Sequence, residues 1–108
     1  MRPYASLRRA ADFSRLRRNG RRIDGEALTI YADRSRAGDP ASLVGIAIGK
    51  PVGNAVVRNK IRRRLVAVLD QTLAGRPPRR LLIVAQPPAA RASFAGLRDQ
   101  LVAGLAQP

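Results

Sequence analysis

The sequence predicts a small α+β sandwich, built as one domain over residues 1–108, with its elements in the order helix, strands, helix, strand, helix. Three observations predict it. Leu28 and Ile30 alternate with Ala27, Thr29 and Tyr31, and Val44, Ile46 and Ile48 share one side of a second alternating stretch, so both stretches read as strands. The run "LLIV" at 81–84 lacks polar alternation, the mark of a strand buried on both faces. Around these lie segments with helical start and stop signals. The length suits a single core that folds without staples.

In order along the chain, residues 1–6 read as an extended, flexible arm. "SLRRAADFSRLRRNG" reads as a short helix ending at Gly20, capped by Ser6 or, in a shorter version, by Asp12. Leu7, Ala10 or Ala11, Phe13 and Leu16 fall roughly on one of its faces. Strands follow at 27–32 and 43–48, separated by the turn chemistry of "RSRAGDPAS", and this pattern predicts a hairpin. Pro51 and Gly53 break the second strand, and Asn54 caps a helix that runs to about residue 74 and stops at Gly75. "GRPPRR" is a loop before the buried strand, "AQPPAARA" a loop after it, and Ser93 caps a closing helix over 94–105.

Composition narrows the function. The chain has no cysteine and no histidine, which removes disulfides, thiolate metal sites and the commonest general base. The seven acids are scattered, with no pair at a spacing that suggests acid–base or metal chemistry, so catalysis by the protein alone is disfavoured and neither catalytic nor metal-ligating residues are assigned. The formal net charge is +14, from 21 Lys and Arg against 7 Asp and Glu. That imbalance repels itself unless a polyanion neutralises it, with nucleic acid the first partner to consider and an anionic membrane the second. All but two of the basic residues, Lys50 and Lys60, are arginine. Either the planar guanidinium is wanted for phosphate and base contacts, or the genome's composition favours it. No segment approaches the roughly 20 apolar residues of a membrane span, and no signal-peptide core follows the N-terminus, so a cytoplasmic protein is expected.

The charge concentrates in "GNAVVRNKIRRRL", residues 53–65, which holds five basic residues and no acid. Stepping 100° per residue from Val57 brings Val57, Ile61, Leu65, Val68 and Thr72 within about 80° of one another, a stripe that packs on the sheet. Arg58 and Arg62 sit at one edge, with Ala55 and Asn59 beside them; Lys60, Arg63 and Arg64 lie around the other side. A solvated helix face normally mixes signs. Here like charges stack at 58/62 and 60/64, near the positive end of the helix dipole. Phosphates would reverse each of these penalties, and Gly53 with the free N–H groups of the first turn could assist.

At these residues the sequence resembles a family. "KPVGNAVVRNKIRRRL" is similar to the signature of the bacterial ribonuclease P protein subunit, and "ADF", "LTIY", the apolar strand and the closing helix agree in order over about residues 7–105. The resemblance implies a small basic cofactor of a catalytic RNA. That RNA carries out Mg²⁺-dependent removal of the 5′ leader from precursor tRNA, with the Mg²⁺ held mainly by RNA. It also implies an α/β sandwich with a left-handed β-α-β crossover, contrary to the usual hand. The partners implied are the catalytic RNA subunit and precursor tRNA, with no membrane and no obligate protein partner.

Carried over residue by residue, the resemblance assigns Phe13, Arg17, Tyr31, Ala55, Arg58, Asn59 and Arg62 to a leader cleft between the sheet and the basic helix. Lys50, Lys60, Arg63 and Arg64 go to the RNA subunit. Lys60 stands where a second Arg is usual, Arg17 where a second cleft aromatic is usual, and Pro51, Val66 and Gln86 where basic residues are common. Arg17 can compensate by stacking its guanidinium on a base. Phe13 reads equally well as core. Tyr31, opposite Leu28 and Ile30 on its strand, is expected on the less buried face as a stacking platform. Composition alone fits a basic ribosomal or other structural RNA-binding protein as well, or an architectural DNA-binding protein. The Gly-Asn-Ala-Val-Val-Arg-Asn run favours the ribonuclease P reading over the former. The strands disfavour a helix-turn-helix form of the latter.

Overall fold

The strand patterns and caps produce their elements nearly where expected in the computed structural model, which describes residues 2–106. The chain begins with β1 (Tyr4–Ser6), α1 (Ala10–Asn19), β2 (Arg21–Asp24), β3 (Leu28–Arg34) and β4 (Ser42–Ile48). A 3₁₀ turn (Lys50–Val52) leads into α2 (Ala55–Thr72), followed by β5 (Arg79–Ala85), a second 3₁₀ turn (Pro87–Ala90) and α3 (Phe94–Leu105). The fold is α+β, with one mixed sheet in the order β1-β4-β5-β3-β2.

β5 lies at the centre, parallel to β4 and antiparallel to β3. Its Leu81, Leu82 and Ile83 are fully buried, because both faces of the sheet are covered. One face holds Leu28, Ile30, Val44, Leu81 and Ile83 in a core with α2 and α3. The other gathers Leu7, Leu16, Tyr31 and Leu82, with Phe13 packed against them from α1. β4, α2 and β5 form a β-α-β crossover between adjacent parallel strands.

Four details differ from the sequence reading. β3 and β4 are not a hairpin, because β5 lies between them. A strand apolar on both faces gains most from a central position, and the segment after β3 spans the gap it leaves. The hairpin is instead β2–β3, registered from Arg21 opposite Ala32 to Asp24 opposite Thr29. β2 escaped detection because "RRID" carries one apolar residue, and a charged strand suits a sheet edge. Tyr4–Ser6 is not a mobile arm but a strand parallel to β4, with Tyr4 buried; Met1 lies outside the described residues. α1 begins at Ala10 with Arg9 in the cap position and no side-chain cap, since Ser6 pairs with Val44 in the sheet and Asp12 is engaged by Arg80.

The other caps fall as read. Asn54 Oδ1 accepts from the Val57 N–H at 3.0 Å, and Ser93 Oγ from the Gly96 N–H at 3.0 Å. α2 stops at Thr72, and Gly75, at φ 73°, supplies the left-handed turn beyond it.

Candidate RNA-binding surface

α2 is buried through Ile61, Leu65, Val68 and Leu69, with Val57 and Thr72 half-buried. Leu69 and Leu73, buried in the same core, widen the expected stripe. Tyr4 shares their core cluster, and Arg2 Nε lies 3.1 Å from Asp70 Oδ1. The first half keeps its two cationic flanks. On one, Arg62 reaches within 3.5 Å of the Ile46 carbonyl of β4; on the other, Arg64 Nη1 donates to the Ala92 carbonyl at 3.2 Å. Gly53 is needed at the helix entry, since a Cβ there would lie 2.9 Å from Val57 Cγ1.

On the Arg62 flank a groove runs between α1, β1, β4 and α2. Phe13, Gly45, Ile46, Arg62 and Val66 line it, with Tyr4 and Arg2 at its β1 end. Phe13 lies over Gly45, where a Cβ would come 2.5 Å from Phe13 Cε1, so the glycine is what lets the aromatic settle on the sheet. Arg58 is half-buried beside this flank, and its Nε is shielded from solvent with no hydrogen-bond partner. Ala55 and Asn59 are exposed on the same helix.

Tyr31 is not part of this groove. It faces away from Leu28 and Ile30 as expected, yet it is only 9 % exposed because α1 covers that face too. Register places Tyr31 opposite Leu82 and Leu82 opposite Gly45, so Tyr31 sits two strands, about 10 Å, from Phe13's seat. The guanidinium carbons of Arg17 and Arg22 lie 5.9 and 5.8 Å from the Tyr31 ring centre. Arg17 thus stacks on an aromatic of its own chain.

Lys50 is exposed on the 3₁₀ turn before α2, where Pro51 pre-sets the backbone. Lys60 and Arg63 are exposed on α2, and Arg64 is half-buried. Gln86 is turned inward: its Nε2 donates to Thr29 Oγ1 at 3.2 Å, Thr29 donates to Asp24 Oδ1 at 3.1 Å, and Arg22 Nε donates to the same oxygen at 2.9 Å. Hydrogen bonds from Arg22 and Thr29 hold the Asp24 carboxyl below its ordinary range.

Sequence reasoning missed Arg2 and Gly45 as lining of the Phe13–Arg62 groove. Gly45 had a signal, a lone glycine inside an apolar strand.

A family model described as Ribonuclease P matches residues 1–108. The chain belongs to the ribonuclease P protein family. Curated relatives bear this out. The ribonuclease P protein component of Acidothermus cellulolyticus is 43% identical over 105 residues, covering 94% of this chain and 88% of the relative. That of Streptomyces avermitilis is 40% identical, covering 92% and 87%. Among solved structures, the RNase P protein of Staphylococcus aureus has the same fold, with a TM-score of 0.83 over 94% of each chain at 24% identity. The RNase P protein of Thermotoga maritima, solved in complex with 1-(4-fluorophenyl)-2-thiourea, gives a TM-score of 0.82 at 20% identity, covering 94% of this chain and 98% of that one. Membership makes the chain a component of a ribonuclease. Among the described residues, no helix is long and apolar enough to cross a membrane.

Proposed function

We propose that the chain is the RNA-binding subunit of a ribonucleoprotein ribonuclease P and helps a catalytic RNA remove the 5′ leader of precursor tRNA. The observation that carries this reading is the acid-free first half of α2, with a cationic flank on each side, in a chain of this family. The groove holding Phe13 and Arg62, with Arg58, Asn59 and Ala55 along its helix side, suits a single strand that is stacked and gripped at once. The opposite flank, Lys60, Arg63 and Arg64 with Lys50 before the helix, suits the backbone of the RNA subunit. The reading assigns the Mg²⁺ to the RNA and the substrate.

The test is reconstitution with a bacterial ribonuclease P RNA. The protein should lower the Mg²⁺ needed for cleavage and raise affinity for precursor over mature tRNA, while protein without RNA cleaves neither. Cleavage by RNA-free protein, or no effect on the RNA's reaction, would count against it.

A further inference from the structure

We propose that Arg91 completes a second phosphate-binding groove with Lys60 and Arg64, and that this groove takes the backbone of the RNA subunit. The inference rests on the function proposed above and extends it to a residue outside the signature.

The groove lies between the first half of α2 and the segment joining the second 3₁₀ turn to α3. Lys60 and Arg64 form one wall, Arg91 stands on the other, and Ala89 and Ala90 keep the side between them low. No acid lines it. Glu26 shares a neighbouring depression with Arg91, yet no ion pair joins them. Lys60 and Arg91 therefore face the groove uncompensated.

The walls are also held in place. Pro87 and Pro88 pre-set the turn, Ala89 is buried, and the Arg91 N–H donates to the Pro88 carbonyl at 3.1 Å. Arg64 bridges to the Ala92 carbonyl, fixing α2 against the turn. Cations on a rigid base lose little freedom when a ligand binds. Because this groove continues the flank of Lys60 and Arg64, its occupant is the RNA that flank binds. It lies across α2 from the Phe13–Arg62 groove, so the leader is not its ligand.

The experiment titrates a bacterial ribonuclease P RNA, without tRNA, against the wild-type protein, Arg91→Ala, Arg91→Lys and Arg98→Ala at several salt concentrations. Arg91→Ala should weaken binding roughly two- to fivefold and flatten the plot of log K against log salt by about 0.7–0.9, the loss of one phosphate contact. Arg91→Lys should keep the slope, and Arg98→Ala should match wild type. The preference of the Arg91→Ala holoenzyme for precursor over mature tRNA should not change. Wild-type protein that fails to bind the RNA would overturn the proposed function itself. Wild-type binding with an unchanged Arg91→Ala slope and affinity would overturn only this inference. So would Arg91→Lys binding as weakly as Arg91→Ala, or a loss confined to precursor tRNA.

Discussion

Arg80 and Arg62 are both arginines beside the sheet, but their surroundings are opposite. Arg80 is saturated: Nε and Nη2 bind the two oxygens of Asp39 at 3.0 and 2.9 Å, and Nη1 binds Asp12 at 3.0 Å. That joint ties β5, the β3–β4 loop and α1 together with side chains that are mostly shielded, 11% exposed for Arg80 and 8% for Asp39. Arg62 and its neighbours on α2 meet no carboxylate; their protein partners are backbone carbonyls. Two of the seven acids serve one structural joint, and none pairs with a basic residue in the first half of α2. A basic protein can thus hold its fold with a few well-placed ion pairs and leave the cations in the first half of α2 without carboxylate partners. Tyr31, beneath Arg17 and Arg22, sides with the structural region by burial.

Substitutions on the two sides should therefore fail in different ways. The largest effect is expected from Tyr31→Ala, which removes a buried aromatic and should lower stability by about 3 kcal/mol in urea denaturation. Unchanged stability with weakened precursor tRNA binding would return Tyr31 to the RNA side. Arg80→Ala strands two carboxylates and should lower stability by about 2 kcal/mol. Arg58→Ala should leave thermal stability nearly intact yet reduce holoenzyme affinity for precursor tRNA about tenfold, while Arg98→Ala, whose partner is the exposed Asp99, has little effect. Equal losses from the two would mean that only bulk charge matters. Arg62→Ala should flatten the salt dependence of precursor tRNA binding by roughly 0.7, with no such change for mature tRNA.

The smallest effect concerns pH. The Arg80 guanidinium, and after it the Arg36 N–H, hold the Asp39 carboxyl at about 2, below its ordinary 3.8. A depressed carboxyl adds stability that is fully present above its unfolded value and is lost as pH falls through the folded one. Thermal stability should therefore drop between about pH 4 and pH 2, and that drop should be smaller in Asp39→Asn.

Much of the candidate surface was legible because it is local. The Asn54 cap, the absence of acids over 53–65 and the helix period together define α2 and its two flanks without reference to the rest of the chain. The same holds for Ser93 and α3. Tyr31 was legible only in part: alternation gave the face it occupies, but its burial depends on α1 lying over that face. Arg91 was not legible as a site residue, because in sequence it is one arginine in a loop, and only the return of that loop to α2 sets it opposite Lys60.

By itself the sequence determined the fold class, the helix that carries the charge, the buried strand and the family signature. Each is written in residues a few positions apart, where caps, periodicity and like-charge stacking act directly. Only the tertiary structure decided that β5 separates β3 from β4, that β1 closes the far edge of the sheet, and which arginines are neutralised. Strands with similar alternation can pair in several orders, and the choice depends on which order covers every apolar face at once. Arg80 meets acids 41 and 68 residues away. Coulomb attraction over a few ångströms depends on where the folded chain brings charges together, and no local pattern encodes that placement.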